Sequence, residues 1–128
     1  MYYVADTHAF LWYLTNDPRL GRNATRVFES ADTGEISIII PAIVLLECID
    51  ILDKKKVAFD FGAILSKIVH ADNFILSAID WGLILETNRT KGLKDLHDRV
   101  IIATAVLFDA GLISKDRVIK QYYHKTLW

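Results

Sequence analysis

Four acidic residues in separate parts of the chain are candidates for chemistry. Asp6 directly follows a short apolar segment at the N-terminus, and Asp116 follows a second such segment near the C-terminus. Asp98 precedes the apolar stretch VIIATA, and Glu47 lies inside the apolar run IVLLECI. Carboxylates brought together would repel one another unless cations lay between them. Oxygen ligands of this kind suit Mg²⁺ or Mn²⁺, so the set predicts a divalent cation site.

Each acid also has an ordinary structural explanation. Asp6, Asp98 and Asp116 could each cap or begin a helix, which stabilises a protein by about 0.5–2 kcal/mol. Glu47 could belong to an exposed helix stripe with Asp50. A carboxylate among leucines and isoleucines is nevertheless costly unless it is paired or bound to a metal. Both explanations stay open for a single acid, and the four acids together favour the cation site.

Other kinds of site find little support. Cys48 is the only cysteine and the four histidines are dispersed, so no zinc-like spacing occurs. Neither a glycine-rich phosphate loop nor a GxSxG nucleophile motif is present. The net charge of −1 gives no overall attraction to nucleic acid or to an anionic membrane. A nucleic-acid partner would therefore need a local basic patch or bound metal ions.

Short apolar runs alternate with longer helical patterns along the chain. The predicted strands are 2–5, 35–38, 74–78 and 112–114, with a poorly signalled fifth strand at the C-terminus. The predicted helices are 8–14, 23–31, 41–53, 61–70, 80–88, 98–109 and 117–123. Pro41 is predicted to open the third helix, with Lys54, Lys55 and Lys56 in its last turn, and Gly111 to end the sixth as a left-handed cap.

This alternation predicts an α/β fold with three α/β/α layers around a central parallel sheet of four to five strands. Ligands of such sheets bind beyond the carboxyl ends of the strands, where Asp6 and Asp116 are expected. The 128 residues, 52% of them hydrophobic, indicate one domain, 1–128. No apolar run approaches the roughly 20 residues of a membrane helix. The lone cysteine and the absence of a signal peptide indicate a cytoplasmic protein.

Four motifs resemble those of the PIN-domain ribonucleases, most closely the VapC-type toxins of toxin–antitoxin pairs. The motifs are YVADTH at 3–8, PAIVLLE at 41–47, LHDRVIIATA at 96–105 and LISKD at 112–116. They occur in the order of the family and cover essentially the whole chain. One departure is that the small hydroxyl residue that often precedes the family's glutamate is replaced here by apolar residues.

The resemblance implies a PIN-like fold and an acidic site. Its catalytic and metal-binding residues would be Asp6, Glu47, Asp98 and Asp116, supported by Ser114 and Thr7. One or two Mg²⁺ or Mn²⁺ ions would activate water to cleave single-stranded or loop RNA, leaving a 5′-phosphate. The expected RNA phosphate contacts are Arg99, Lys94 and Arg117, although Arg99 could instead pair with Asp98 or Asp116. Asp95 could be a further acid of the site, although a loop role is favoured.

The resemblance also implies partners, namely a cognate antitoxin and a second copy of the chain in a homodimer. Leu11, Trp12 and Phe28 could line a groove for the antitoxin, but helix-spaced aromatic residues more often pack into a core. Three alternatives remain: an RNA-processing nuclease outside a toxin system, a non-catalytic RNA-binding module, and a phosphorelay receiver domain. A receiver would accept phosphate at Asp80, and it leaves the Asp98 motif unexplained.

Overall fold

A computed structural model describes residues 1–55 and 60–128 of the chain. The strands in these ranges are β1 (Tyr2–Ala5), β2 (Ser37–Pro41), β3 (Phe74–Ser77), β4 (Gly111–Ile113) and β5 (Thr126–Leu127). The helices are α1 (Thr7–Leu14), α2 (Arg22–Asp32), α3 (Ala42–Lys55), α4 (Phe61–His70), α5 (Trp81–Arg89), α6 (Leu96–Leu107) and α7 (Arg117–Tyr122). Both the α/β class and the poorly signalled fifth strand are confirmed.

The five strands form one parallel sheet in the order β3-β2-β1-β4-β5. The chain winds outward from β1 through β2 to β3, then returns to the other side of β1 for β4 and β5. The connections therefore change direction between β1 and β4, and such a switch opens a crevice at the carboxyl ends of these two strands. A receiver domain has the order 2-1-3-4-5, so this strand order overturns the receiver alternative.

The central strands are buried on both faces of the sheet. Ile38, Ile39 and Ile40 are successive residues of β2, and none of them exposes any surface. Because successive side chains of a strand point to opposite faces, helices must cover both sides, as the three-layer prediction requires. No helix in the described ranges is long and apolar enough to cross a membrane.

Two predicted element boundaries are wrong in an instructive way. Pro41 ends β2 opposite Ser77 rather than opening α3, because the buried isoleucine run extends the strand to this point. Gly111 begins β4 rather than capping α6, and the left-handed residue after that helix is Asp109, with φ 48°. A Cβ at Gly111 would lie 2.5 Å from the Tyr3 ring, which explains the glycine by close packing.

The sixth helix begins earlier than its apolar run. Its N-cap is Asp95, whose carboxylate accepts a hydrogen bond from the Asp98 backbone N–H at 3.2 Å. Asp98 therefore lies inside the first turn of α6, and its side chain is not needed as the cap. Lys56, predicted to end α3 together with Lys54 and Lys55, lies outside the described residues.

The proposed antitoxin-groove residues belong to the core. Leu11, Trp12 and Phe28 are all buried, with Phe28 only 1% exposed. Packing into the core was the favoured interpretation of these side chains, and the structure agrees with it. Trp12 and Phe28 also line a depression of about 400 Å³ beside α1 and α2, although little of either side chain is exposed there.

Candidate active site

The fold brings two of the four acids together at the switch in strand order. Asp6 follows β1 and Asp116 lies just beyond β4, and these strands are hydrogen-bonded neighbours, with Ala5 opposite Ile113. The Asp6 backbone N–H extends this pairing by donating to the Ile113 carbonyl at 3.1 Å. Both carboxylates therefore stand at the mouth of the crevice that the topology opens.

Two helices complete the acidic set. Glu47 lies in α3 and Asp98 in the first turn of α6, and these two helices contact each other. Together the elements enclose an open cleft of about 390 Å³. Its walls carry Asp6, Glu47, Asp98 and Asp116, a fifth carboxylate, Asp95, and the side chains of Thr7, His8 and Lys115. All four predicted acids thus line a single cavity.

Helix capping fixes the orientation of two of these acids. Asp6 Oδ1 accepts a hydrogen bond from the Ala9 N–H at 2.9 Å, at the start of α1. Asp116 Oδ1 accepts one from the Val118 N–H at 2.7 Å, at the start of α7. The capping role considered for both acids is therefore real, and it is compatible with a site because each carboxylate also has a second oxygen.

Ser114 and Thr7 lie beside the acids, as the resemblance implies. Ser114 is buried just beyond β4, and its Oγ accepts a hydrogen bond from the Asp116 N–H at 3.1 Å. Burial raises the pKa of Asp6, and the nearby Ser114 hydroxyl partly opposes that rise. Thr7 is the first residue of α1, and its Oγ1 is buried near Glu47 without a hydrogen bond of ordinary geometry.

Glu47 is the acid whose surroundings most need an explanation. Its side chain is 25% exposed, yet its Oε1 is buried and has no hydrogen-bond partner in the described part of the chain. The nearest cationic candidate is His97 Nδ1, 3.8 Å from Oε1, which is beyond hydrogen-bond distance. A buried carboxylate oxygen without a partner is costly, and a bound cation would remove that cost.

The ionised form of the acids is disfavoured in this cleft. Burial, followed by the charges of Asp95 and Asp116, raises the pKa of Asp98 to about 6. Burial likewise raises the pKa of Asp6 and of Glu47 above their ordinary values. Several neighbouring carboxylates are unfavourable in the ionised form, and a divalent cation bound between them would stabilise that form.

The donor set fits a hard cation, although the ligands are not assembled around one. Within residues 1–55 and 60–128, no three His, Cys, Asp or Glu side chains are already placed to hold a metal ion. The unpartnered Glu47 oxygen and the all-oxygen character of the four acids nevertheless match Mg²⁺ or Mn²⁺. Cation binding would then require side-chain movements that draw the carboxylates together.

None of the three basic residues predicted to contact RNA phosphate lines the cleft itself. Arg99 donates to the Thr87 carbonyl of α5 at 2.9 Å, so its guanidinium ties two helices together and pairs with neither Asp98 nor Asp116. Arg117 is exposed at the start of α7 and does not line the cleft. Lys94 lines an adjoining depression rather than the cleft itself.

Lys115 and His8 are the basic side chains that do line the cleft. The Lys115 ammonium lies over the Trp12 ring, 4.6 Å from its centroid, which restricts where the charge can be. Its position between Ser114 and Asp116 could have indicated this role. The sequence did not show that Trp12 would lie beneath it, because that contact depends on β1 and β4 being adjacent.

The raised pKa of Asp98 gives a testable pH dependence of stability. A carboxyl group whose pKa is higher in the folded than in the unfolded protein stabilises the fold while it is protonated. For Asp98 this stabilisation is complete below the ordinary pKa of 3.8 and is lost as the pH rises through the folded-state pKa of about 6. We expect the cation-free parent to lose about 1 kcal/mol of unfolding free energy relative to Asp98→Asn between pH 4 and pH 7, after solvent screening is allowed for. Urea unfolding in EDTA measures this difference, and parallel pH profiles would contradict it.

A family model described as the PIN domain matches residues 3–125 of the chain. No curated protein matches the sequence of this chain. Among solved structures, the chain is similar to the VapBC2 complex of Rickettsia felis bound to a promoter DNA fragment, with TM-score 0.72 and 15% identity, over 96% of this chain and 94% of that one. It is also similar to Mycobacterium tuberculosis VapC20, a sarcin-ricin loop cleaving toxin, with TM-score 0.69 and 15% identity, over 94% and 95%.

A third similar structure is a toxin–antitoxin complex from Klebsiella pneumoniae. Its TM-score is 0.64 at 17% identity, over 98% of this chain and 95% of that one. At these identities the likeness concerns the fold, and the matches span nearly the full length of each chain.

Proposed function

The chain belongs to the PIN domain family, and on that premise we propose that it is a metal-dependent endoribonuclease that cleaves single-stranded or loop RNA. The observation that carries the proposal is the convergence of Asp6, Glu47, Asp98 and Asp116 on one cleft, with a buried Glu47 oxygen that has no partner among the described residues. These four side chains are the proposed metal ligands.

The chain's own residues prepare the cleft for phosphodiester hydrolysis. A Mg²⁺ or Mn²⁺ ion bound there would lower the pKa of a water molecule and offset charge on the scissile phosphate. Backbone N–H groups hold Asp6 and Asp116 in fixed orientations, and the Ser114 hydroxyl accepts a hydrogen bond from the Asp116 backbone N–H. Catalysis then rests on positioning and electrostatics, and no nucleophilic side chain is required.

End-group analysis of the cleaved RNA tests this proposal. The purified protein, incubated with single-stranded RNA and Mg²⁺ or Mn²⁺, should yield fragments with a 5′-phosphate and a 3′-hydroxyl. A 2′,3′-cyclic phosphate would instead show attack by the ribose hydroxyl and would overturn the water-based mechanism. RNA binding without cleavage would favour the non-catalytic RNA-binding alternative.

Lys115 is the proposed phosphate contact of the cleft. We expect Lys115→Gln to weaken single-stranded RNA binding about five- to tenfold and to lower the slope of log Kd against log salt by about 0.7, the value for one released counterion. Lys120→Gln is the matched control, because Lys120 is exposed on α7 but does not line the cleft. Equal losses in the two variants would show a general charge effect and reject the specific contact.

The biological role that we infer is that of the toxin in a toxin–antitoxin pair, with a cognate antitoxin as partner. The support is the likeness of the fold to VapC20 and to chains of toxin–antitoxin complexes. Expression of the parent should arrest bacterial growth, and the Asp98→Asn variant should not. Normal growth with an enzyme that is active in vitro would favour an RNA-processing nuclease instead. Both roles act on RNA, which is consistent with a cytoplasmic protein.

We also infer that two copies associate through α5. Trp81, Ile84 and Leu85 lie on one face of this helix and are 71%, 49% and 45% exposed. Neighbouring large apolar residues left exposed in this way mark interaction surfaces.

Light scattering of an α5 variant tests the homodimer. We expect the parent to have twice the 14.6 kDa mass of one chain and the Ile84→Glu variant to have the mass of a monomer. The variant should not dimerise, because its carboxylate would be buried without a partner at the contact. Val69→Glu, at an apolar position of α4 that is 76% exposed, is the control and should remain dimeric. A dimeric Ile84→Glu variant would exclude α5 as the interface.

A further inference from the structure

We propose that a depression beside the acidic cleft binds one nucleobase of the RNA strand, stacked on the ring of Tyr122. The proposal rests on the nuclease function above and adds a substrate subsite to it. The depression has a volume of about 370 Å³, and its apolar walls are Leu93, Val118 and Tyr122.

The depression is continuous with the site of the chemistry. Asp95, Asp98 and Asp116 line both it and the acidic cleft, so the two cavities meet at these carboxylates. A phosphate held at the acids would have its flanking nucleotide within reach of the depression. Lys115 and His8 line the cleft but not the depression. The strand would therefore run from these basic side chains, past the acids, to Tyr122.

The walls of the depression have the chemistry that nucleobases recognise. Tyr122, the last residue of α7, is 46% exposed, and Val118 of the same helix is equally exposed. Leu93 is buried and closes the floor, while Lys94 supplies a positive charge at the wall. Proteins bind unpaired RNA bases by stacking them on exposed aromatic rings and by pairing nearby phosphates with cations.

The loop before α6 follows the edge of the Tyr122 ring closely. Gly92 has φ +91°, and a Cβ at this position would lie 3.1 Å from the Tyr122 hydroxyl. Glycine therefore satisfies both the left-handed backbone and the close approach. The loop limits movement of the phenol end of the ring, which favours a fixed stacking platform.

Binding measurements with paired variants test the subsite. An Asp6→Asn background prevents cleavage, keeps the cap of α1 and leaves the walls of the depression intact, since Asp6 does not line it. In this background and in Mg²⁺, the affinity for a short single-stranded RNA is measured by fluorescence anisotropy. The tested variants are Tyr122→Ala, Tyr122→Leu and Tyr122→Phe. The control is Tyr2→Ala, because Tyr2 is also an exposed tyrosine but lies at the N-terminal end of β1, away from the acids.

We expect Tyr122→Ala and Tyr122→Leu each to weaken binding about tenfold, the effect of one stacked base. Tyr122→Phe keeps the ring and should stay within about twofold of the background, as should Tyr2→Ala. An abasic nucleotide at one position of the RNA should weaken binding to the background protein by a similar factor and add nothing to the loss in Tyr122→Ala. This lack of additivity would identify the base that contacts the ring.

Two results would overturn the subsite. Unchanged RNA affinity in Tyr122→Ala and Tyr122→Leu would do so, and so would an abasic penalty that persists in both variants. If the parent still cleaves RNA under those circumstances, the nuclease function stands and only the subsite fails. If the parent neither binds nor cleaves single-stranded RNA, the proposed function and the subsite fail together. Melting temperatures show that each variant is folded.

Discussion

An Asp98→Asn variant should lose about 10³-fold or more of the rate of RNA cleavage while its fold remains intact. Loss of one anionic ligand removes several kcal/mol of stabilisation of transition-state charge, and each 1.4 kcal/mol corresponds to a factor of ten. The start of α6 should not suffer, because the Asp98 backbone N–H, rather than its side chain, bonds the capping Asp95. The measurement is the initial rate on a labelled single-stranded RNA at saturating cation.

The matched control for this variant is Asp80→Asn. Asp80 caps α5 through a hydrogen bond from the Leu83 N–H at 2.9 Å, and it is exposed outside the cleft. Asparagine is an equally good cap, so both stability and activity should stay close to those of the parent. An Asp98→Asn protein that cleaves as fast as Asp80→Asn would remove Asp98 from the proposed site.

Divalent cations should stabilise the parent strongly against thermal unfolding. A ligand present at about 100 times its Kd stabilises a fold by about 2.7 kcal/mol, which for a chain of this size raises Tm by roughly 10 °C. The physical source is the positive charge of the ion, which offsets both the burial and the mutual repulsion that raise the pKa values of Asp6, Glu47 and Asp98. Differential scanning calorimetry with Mg²⁺, Mn²⁺ or EDTA measures the shift.

The pH of that experiment provides an internal check. Because the acids must be deprotonated to bind the ion, the cation-induced rise in Tm should shrink below pH 6, where Asp98 becomes protonated. Glu47→Gln should reduce the rise at every pH, and EDTA should abolish RNA cleavage by the parent. A Tm that does not respond to either cation at pH 7.5 would contradict a site built from these carboxylates.

Sequence reasoning was most effective for residues whose position depends on local pattern. Asp6 and Asp116 follow short apolar strands, and parallel strands end at a common edge, so their proximity could be anticipated. Glu47 was indicated by its apolar neighbours, and its Oε1 is indeed buried. That these acids bind metal and act in catalysis remains a prediction.

Two features of α6 depend on tertiary contacts. In the segment DLHD, either Asp95 or Asp98 could have capped α6, and the structure has Asp95 as the cap. The Asp95 side chain also lines the cleft, which brings in α1, α3 and α7 from distant parts of the chain. Arg99 donates to the Thr87 carbonyl near the end of α5, twelve residues away in sequence, and its contact with RNA phosphate stays a prediction. No local pattern shows that contact.

Strand ends were harder to predict than strand existence. The isoleucines of β2 predict a buried strand, but proline is as acceptable in the first turn of a helix as at the end of a strand. The pairing of Pro41 with Ser77 of β3 decides between them, and it is a long-range contact. Gly111 was similarly ambiguous until the Tyr3 ring was seen to occupy the space beside it.

Anomalous scattering from crystals grown with Mn²⁺ tests most directly the claim that the four carboxylates form a cation site. The predicted result is an anomalous peak in the cleft, within about 2.5 Å of oxygens of Asp98 and of at least one other acid among Asp6, Glu47 and Asp116. The same crystals of Asp98→Asn should lack the peak or show it much reduced. A cleft without anomalous density at saturating Mn²⁺, or a peak that touches none of these acids, would contradict the account.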